Sequence, residues 1–385
     1  MPTAATGPAD SNERTAIAIA SVAIVAGIAA RTWVWTHRGS LFLDEASLAL
    51  NVLARGFGGL AHPLDWGQAA PVGYLWVERA AFLMFGAGET ALRGWSFVAG
   101  VATLPLTWLV ARRLAGARAA AFAVTALAGS LLALRYAAEV KPYAGDALAA
   151  VGLIWLGLRV HDDPGSARRW GWLGACGVVA VFVSLPSVFT LAAVGVALAG
   201  AAWRRGVAAR VGLAACGTAW VVAFGAEWFA VLRHSVGDPY LTEYWAPVML
   251  DPSQPALMAR MFRAAASVAA TPLRWEGSLA AAAAGVGAWA CGLAVMARRS
   301  RTGLVLLGAP VAFAAAASIA GVYPLSDRLA FFAAPAAMIA VGVALDAVVR
   351  PVRPAITVAA VALLAAWVGL DGALVVRSPG SLEPA

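Results

Sequence analysis

Residues 93–160 read RGWSFVAGVATLPLTWLVARRLAGARAAAFAVTALAGSLLALRYAAEVKPYAGDALAAVGLIWLGLRV. Three apolar runs, about 93–111, 118–138 and 143–160, are each close to the ~20 residues that cross a bilayer core as a helix. The two turns between them differ in kind. The first holds Arg112, Arg113 and Arg118; the second is Glu139-Val140-Lys141-Pro142. Basic clusters stay on the cytoplasmic side of membrane proteins. The first turn is therefore expected inside and the second outside.

The same pattern extends along the 385 residues. Hydrophobic residues make up 62% of the chain and charged ones 12%, at a mean hydropathy of +0.78. A soluble chain carries roughly twice that charge. This excludes disordered, fibrous and disulfide-scaffold chains and leaves an all-α polytopic membrane protein. The net charge of +8 then reflects orienting arginines, not nucleic acid. Further spans are predicted at about 15–32, 170–185, 187–203, 210–232, 278–297, 303–322, 328–348 and 354–376, about 11 in all. Arg159, Arg168 and Arg169, then Arg204, Arg205 and Arg210, then Arg298, Arg299 and Arg301, then Arg350 and Arg353 fall at every second loop. The expected topology has a cytoplasmic N-terminus and an external tail at 377–385, with 1–376 a single transmembrane domain in the cell inner (plasma) membrane.

Three stretches, 47–60, 71–86 and 256–270, are expected as external amphipathic helices lying at the surface. In 71–86 the central Glu78 and Arg79 make spanning costly. The long external loops, 33–92 and 233–277, hold most of the acids outside the cytoplasmic loops. Polar chemistry is therefore expected on the outer face. Cys176, Cys216 and Cys291 lie inside apolar runs without ligand spacing and read as buried hydrophobes. His37, His62, His161 and His234 show no metal-ligand spacing either. No cofactor is certain from the sequence; a divalent metal ion is compatible with it but has no motif to support it. Walker, GxGxxG and nucleophile-elbow motifs are absent.

Three constellations stand out. Asp44-Glu45 precedes a helical stretch, where acids cap free N–H groups; a carboxylate shielded at a membrane surface can also serve as a general base. Arg135, Tyr136, Glu139, Lys141, Tyr143 and Asp146 crowd the second turn. Pro142 suits a helix start, which puts Tyr143 and Asp146 on one face. Tyr, Lys and Arg can anchor at the interface, but Glu139 and Asp146 are functional candidates. Lys141 is the only lysine. In Tyr323-Pro324-Leu325-Ser326-Asp327-Arg328, an Arg at a helix start opposes the dipole and calls for an anionic partner, either a carboxylate or a phosphate. Asp238, Tyr240, Glu243, Tyr244 and Trp245 could form a sugar-stacking lid, although any interfacial loop holds such residues. Glu227 is either a site residue or a packed one.

At these motifs the chain resembles the membrane-embedded GT-C glycosyltransferases. The similarity is to the family 39-like group, related to protein O-mannosyltransferases and aminoarabinose lipid A transferases. The residues that carry it are Asp44-Glu45, the interfacial 71–86 segment, Arg112-Arg113, the Tyr136–Tyr143 turn and Tyr323-Pro324…Arg328. The family's His-Pro-Pro before the interfacial helix reads Gln68-Ala69-Ala70-Pro71 here. The resemblance implies an inverting transferase with a polyprenyl-phosphate sugar donor and a lipid, glycan or protein hydroxyl acceptor. It makes Asp44 the base, with Glu45 beside it, and gives the donor phosphate to Lys141 and Arg328. The remaining substrate-binding candidates are Tyr136, Glu139, Tyr143, Asp146 and Tyr323. A transporter or lipid flippase is the rival, for which acids near the bilayer midplane would be expected.

Overall fold

The computed structural model describes residues 8–235, 239–270, 278–325 and 327–349. Among these residues every regular element is a helix, with no strand. Eight helices are long and apolar enough to cross a membrane: 12–37, 94–115, 143–162, 187–204, 207–232, 279–299, 301–319 and 328–349. The predicted run at 170–185 forms the 17-residue helix Ala167–Val183, shorter than these eight. The run at 354–376, with Arg350, Arg353 and the tail, lies outside the described residues.

Residues 8–85 comprise α1 (Pro8–His37), α2 (Leu43–Ala54) and α3 (Val72–Phe85). A short α4 (Glu89–Leu92) leads into α5 (Gly94–Ala115). The predicted single span at 118–138 is in fact broken. It forms α6 (Ala117–Ala128), then α7 (Leu131–Tyr136), and Ser130 caps α7 by accepting from the Ala133 N–H. A helix ending inside an apolar bundle leaves carbonyls without water. Arg31, fully buried on α1, donates to the Leu127 and Ala128 carbonyls at 3.2 and 3.1 Å. A buried cation thus completes the end of α6.

Then follow α8 (Tyr143–Asp162), α9 (Ala167–Val183), α10 (Ser187–Arg204) and α11 (Val207–Glu227), the last continued by a π-helical turn, Trp228–Leu232. The C-terminal part holds α12 (Pro239–Trp245), α13 (Leu257–Ala269), α14 (Leu279–Arg299), α15 (Arg301–Ile319), a short α16 (Asp327–Ala330) and α17 (Ala334–Val349). α17 is the central helix. It packs on α6 and α14, and Gly292 of α14 sits so close to the Ala340 carbonyl that no Cβ would fit. Small residues at such crossings let spanning helices approach.

The helix at 71–86 has its expected extent but not the expected surface position of both charges. α3 lies against α2, α5 and α9. Glu78 points inward and is fully buried, and neither carboxylate oxygen has a hydrogen-bond partner. Arg79 donates to the Val52 and Leu53 carbonyls at 2.9 and 3.1 Å, closing the C-terminus of α2. The reason is the packing: the face of α3 that carries Tyr74, Leu75 and Glu78 is buried in the structure, whereas Trp76 on its other side stays exposed.

The loops sort to two ends. Arg112 pairs with Glu13, Arg113 with Asp162, Arg118 with Asp346 and Arg169 with Asp163 at one end. The segments around 44, 68, 141, 186, 232, 244 and 323 meet at the other, where they enclose a cavity.

Candidate active site

The cavity has a volume of about 330 Å³. Asp44, Gln68, Lys141, Tyr143, Asp146 and Arg328 bring polar groups to its wall, and Trp66, Tyr244 and Trp245 bring aromatic ones. Each charged residue is positioned by local structure. Asp44 stands in the first turn of α2, where the helix dipole favours a carboxylate. Lys141 lies on the 137–142 turn, which is pinned on several sides. Ser96 donates to the Lys141 carbonyl at 2.9 Å, Arg38 donates to the Arg135 and Ala138 carbonyls, and the Val140 N–H donates to Glu45 at 2.8 Å. Arg328 sits on the short α16 before the central helix.

These residues converge on Asp44. Lys141 Nζ lies 3.2 Å from Asp44 Oδ1, and Arg328 Nη1 lies 2.9 Å from Asp44 Oδ2. Gln68 Nε2 donates to Oδ1 at 3.2 Å, and its Oε1 accepts from Lys141 Nζ at 2.9 Å. Arg328 also donates to the Tyr244 hydroxyl at 3.0 Å, with Trp245 stacked 5.2 Å from the guanidinium. Burial alone would raise the Asp44 carboxyl, but Lys141 and Arg328 outweigh it and hold the group below its ordinary value. Lys141 is pushed below the ordinary lysine value by burial, against the pull of Asp44.

The other sequence candidates divide. Tyr143 and Tyr323 line the cavity, and Tyr323 is fixed by donating to the Leu329 carbonyl at 2.8 Å. Asp146 also lines it and is buried, with Oδ1 lacking a partner. Tyr136 lies behind, edge-on to Tyr143 and Phe331 at 5.1 and 4.8 Å. Glu45 is buried away from the cavity. It accepts from the Phe42 and Val140 N–H groups and sits 3.5 and 3.6 Å from Arg38 and Arg93. Glu139 faces Arg135 and Arg38 at 2.6 and 3.2 Å. Glu227 is a packed residue: it accepts from the Val72 N–H at 3.0 Å and so caps the start of α3. Of the two answers left open for Arg328, its partner in this structure is a carboxylate.

Gln68 is the site residue that residue-type reasoning passed over. It is neutral and lies in a loop, and its one signal is its place just ahead of Pro71 and the interfacial helix. Among the described residues no three His, Cys, Asp or Glu side chains converge to hold a metal ion.

The family model of dolichyl-phosphate-mannose-protein mannosyltransferases matches residues 69–228, less than half of the chain. No curated protein matches the sequence. Among solved structures, ArnT from Cupriavidus metallidurans bound to undecaprenyl phosphate superposes with a TM-score of 0.57 at 22% identity, over 86% of this chain and 60% of that one. Archaeal oligosaccharyltransferase AglB from Archaeoglobus fulgidus, in complex with an inhibitory peptide and a dolichol-phosphate, gives 0.55 at 14% identity, over 95% of this chain and 56% of that one. The chain therefore spans less than two thirds of these proteins. The resemblance read from the motifs holds in both comparisons, and the chain has the GT-C fold of a multi-pass membrane protein.

Proposed function

We propose that the chain is an inverting glycosyltransferase that moves a sugar from a polyprenyl-phosphate donor to a hydroxyl acceptor on the outer face of the membrane. The observation that carries this reading is the convergence of Lys141 and Arg328 on the Asp44 carboxylate in a single cavity at the ends of spanning helices. A lipid phosphate resides at that depth. Lys141 and Arg328 offer it charge-assisted hydrogen bonds, and the Arg fork suits phosphate geometry. Asp44 is the base. The acceptor oxygen forms a bond to the anomeric carbon as the bond from that carbon to the phosphate oxygen breaks. The electron pair goes to the phosphate, whose charge the two cations stabilise, and the acceptor proton goes to Asp44. Tyr143, Tyr323 and Asp146 would contact the sugar, and Trp66, Tyr244 and Trp245 offer it apolar faces.

A transporter places its acids near the bilayer midplane, at broken helices. Here Asp44 stands at the start of the short helix α2 and Lys141 in the turn before α8, at the ends of the spanning helices, which favours the transferase. Incubating membranes that contain the protein with radiolabelled polyprenyl-phosphate sugars tests the reading. Transfer of label from the acid-labile polyprenyl-phosphate linkage to a product that survives mild acid supports it. Movement of intact donor across the bilayer without product would replace it with the flippase.

A further inference from the structure

Gln68 reaches the cavity because its loop is built to send it there. Asn51 of α2 holds Asp65 twice, accepting from its N–H at 2.9 Å and donating to its carbonyl at 3.3 Å, and Arg55 pairs with the Asp65 carboxylate at 2.8 Å. The next two residues, Trp66 and Gly67, both take left-handed backbone, at φ 59° and 62°. That conformation is uncommon for a residue with a side chain as large as Trp, and it persists where the surroundings enforce it. The turn closes as the Gln68 N–H donates to the Asp65 carbonyl, which aims the amide inward.

Once there, the amide has only one usable orientation. An ammonium can only donate and a carboxylate can only accept. Oε1 must therefore face Lys141 and Nε2 must face Asp44, at the 2.9 and 3.2 Å observed. Gln68 is thus a neutral bridge between the two, with both ends satisfied. Asp44 Oδ1 is shared by Lys141 and Gln68, whereas Oδ2 is held by Arg328 alone.

A base clamped between two cations takes up a proton poorly. In the transferase reading, on which this inference rests, those same two cations bind the donor phosphate. We propose that Gln68 is the positioning residue of Asp44: it keeps Oδ1 in place when the donor phosphate draws Lys141 and Arg328 away, so that Oδ2 is left facing the acceptor hydroxyl. The donor thereby releases the base, and the base does not drift when it is released. The groups facing Asp44 are Lys141 from the turn before α8, Arg328 from α16, Gln68 from its loop and the wall residue Tyr143. Among them Gln68 is the neutral partner that a phosphate does not compete for.

Two variants of the full-length protein test this, with transfer from a polyprenyl-phosphate sugar as the assay. Gln68→Glu keeps an acceptor for Lys141 but removes the donor to Asp44; Gln68→Ala removes both. Loss of a hydrogen bond to a charged group predicts a fall in kcat of roughly 10- to 150-fold for both. The donor KM should stay near the wild-type value. The acid limb of the kcat–pH profile should move to higher pH, because a carboxylate without that N–H donor holds its proton more firmly. A role confined to tethering Lys141 makes the opposite forecast: Gln68→Glu would turn over like the wild type, and the acid limb of Gln68→Ala would stay put. In Gln68→Glu the new carboxylate beside Asp44 moves the limb in either case, so the limb is read in Gln68→Ala. Wild-type turnover in Gln68→Glu, or a rise in donor KM without movement of the limb in Gln68→Ala, overturns this inference alone. Absence of transfer by the wild-type protein from any polyprenyl-phosphate sugar overturns the functional reading and this inference with it.

Discussion

Asp44 and Glu45 are adjacent carboxylates with opposite surroundings, and substitution should separate them. Asp44 lines the cavity and touches only side chains. Asp44→Asn is expected to lower kcat roughly 10²- to 10⁴-fold, the range for a lost general base. The donor KM should not rise, because a carboxamide no longer competes with phosphate for Lys141 and Arg328. Near-normal turnover in the purified variant would remove Asp44 from the chemistry. Glu45 instead holds two backbone N–H groups and lies beside Arg38 and Arg93, all buried. Glu45→Ala leaves the buried Val140 N–H without its acceptor and takes from Arg38 and Arg93 one of their carboxylates, Glu139 and Glu89 remaining. It is expected to cost about 1–3 kcal/mol of stability, read as loss of folded protein in detergent. The sequence offered both readings, helix cap and base, for the pair as a unit. It could not divide them, because adjacent positions at a helix start face different ways and only packing says which side is wet. Lys141 was conspicuous as the only lysine. Glu139 was grouped with it by proximity along the chain, yet it turns back to Arg38 and Arg135. Gln68 had no charge to draw notice; its role depends on the left-handed turn before it, which sequence does not announce when one of the two residues is Trp.

The helices themselves were mostly legible, because apolar run length and arginine spacing answer directly to bilayer thickness and orientation. The break between α6 and α7 was not read, although Gly129-Ser130 is a turn dipeptide and Ser a good helix cap. Apolar periodicity masked it on both sides, and the buried Arg31 that completes the break lies almost a hundred residues away. α3 carries two expectations. A cysteine placed in the 86–91 loop should label from outside and one at Ala117 should not, since α3 with 14 residues is shorter than the ~20 residues of a span. Labelling at 117 with protection at 86–91 would invert the proposed orientation. The second expectation concerns Glu78, whose carboxyl burial pushes up to about 8. The Tyr74 hydroxyl one turn earlier lies beside it but outside hydrogen-bonding geometry. Between its ordinary value of 4.5 and about 8, the folded protein binds the proton and the unfolded chain does not. Stability should therefore fall as pH rises through that window. Glu78→Gln should flatten the dependence and raise the melting temperature at pH 8. An unchanged pH profile in Glu78→Gln would show that the carboxyl is hydrated in the folded state.

Across the whole molecule, the Arg328–Asp44 pair joins segments 284 residues apart. Arg328 also touches Tyr244 and Trp245. One guanidinium thus fastens the first loop, α12 and the start of the central helical layer around the cavity. That makes ligand binding readable as stability. A lipid phosphate that binds the folded state should raise apparent stability by about 2.7 kcal/mol at a hundredfold excess over its Kd. Undecaprenyl phosphate is a suitable probe, because it tests the phosphate cradle without requiring the correct sugar. Lys141→Ala and Arg328→Ala should each weaken its binding roughly 10- to 150-fold, the loss of a charge-assisted contact. The double variant should lose less than the sum of the two, since both cations address one phosphate and are coupled through Asp44. Lys141→Arg should keep part of the affinity, because charge survives while the compact ammonium geometry does not. Asp44→Asn should bind the probe at least as tightly as the wild type, because the anion that occupies both cations has been neutralised. A melting shift that is the same in the wild type, Lys141→Ala and Arg328→Ala would mean that the lipid binds elsewhere on the bundle. The Lys141–Asp44–Arg328 cluster would then be a structural clasp between the two ends of the chain.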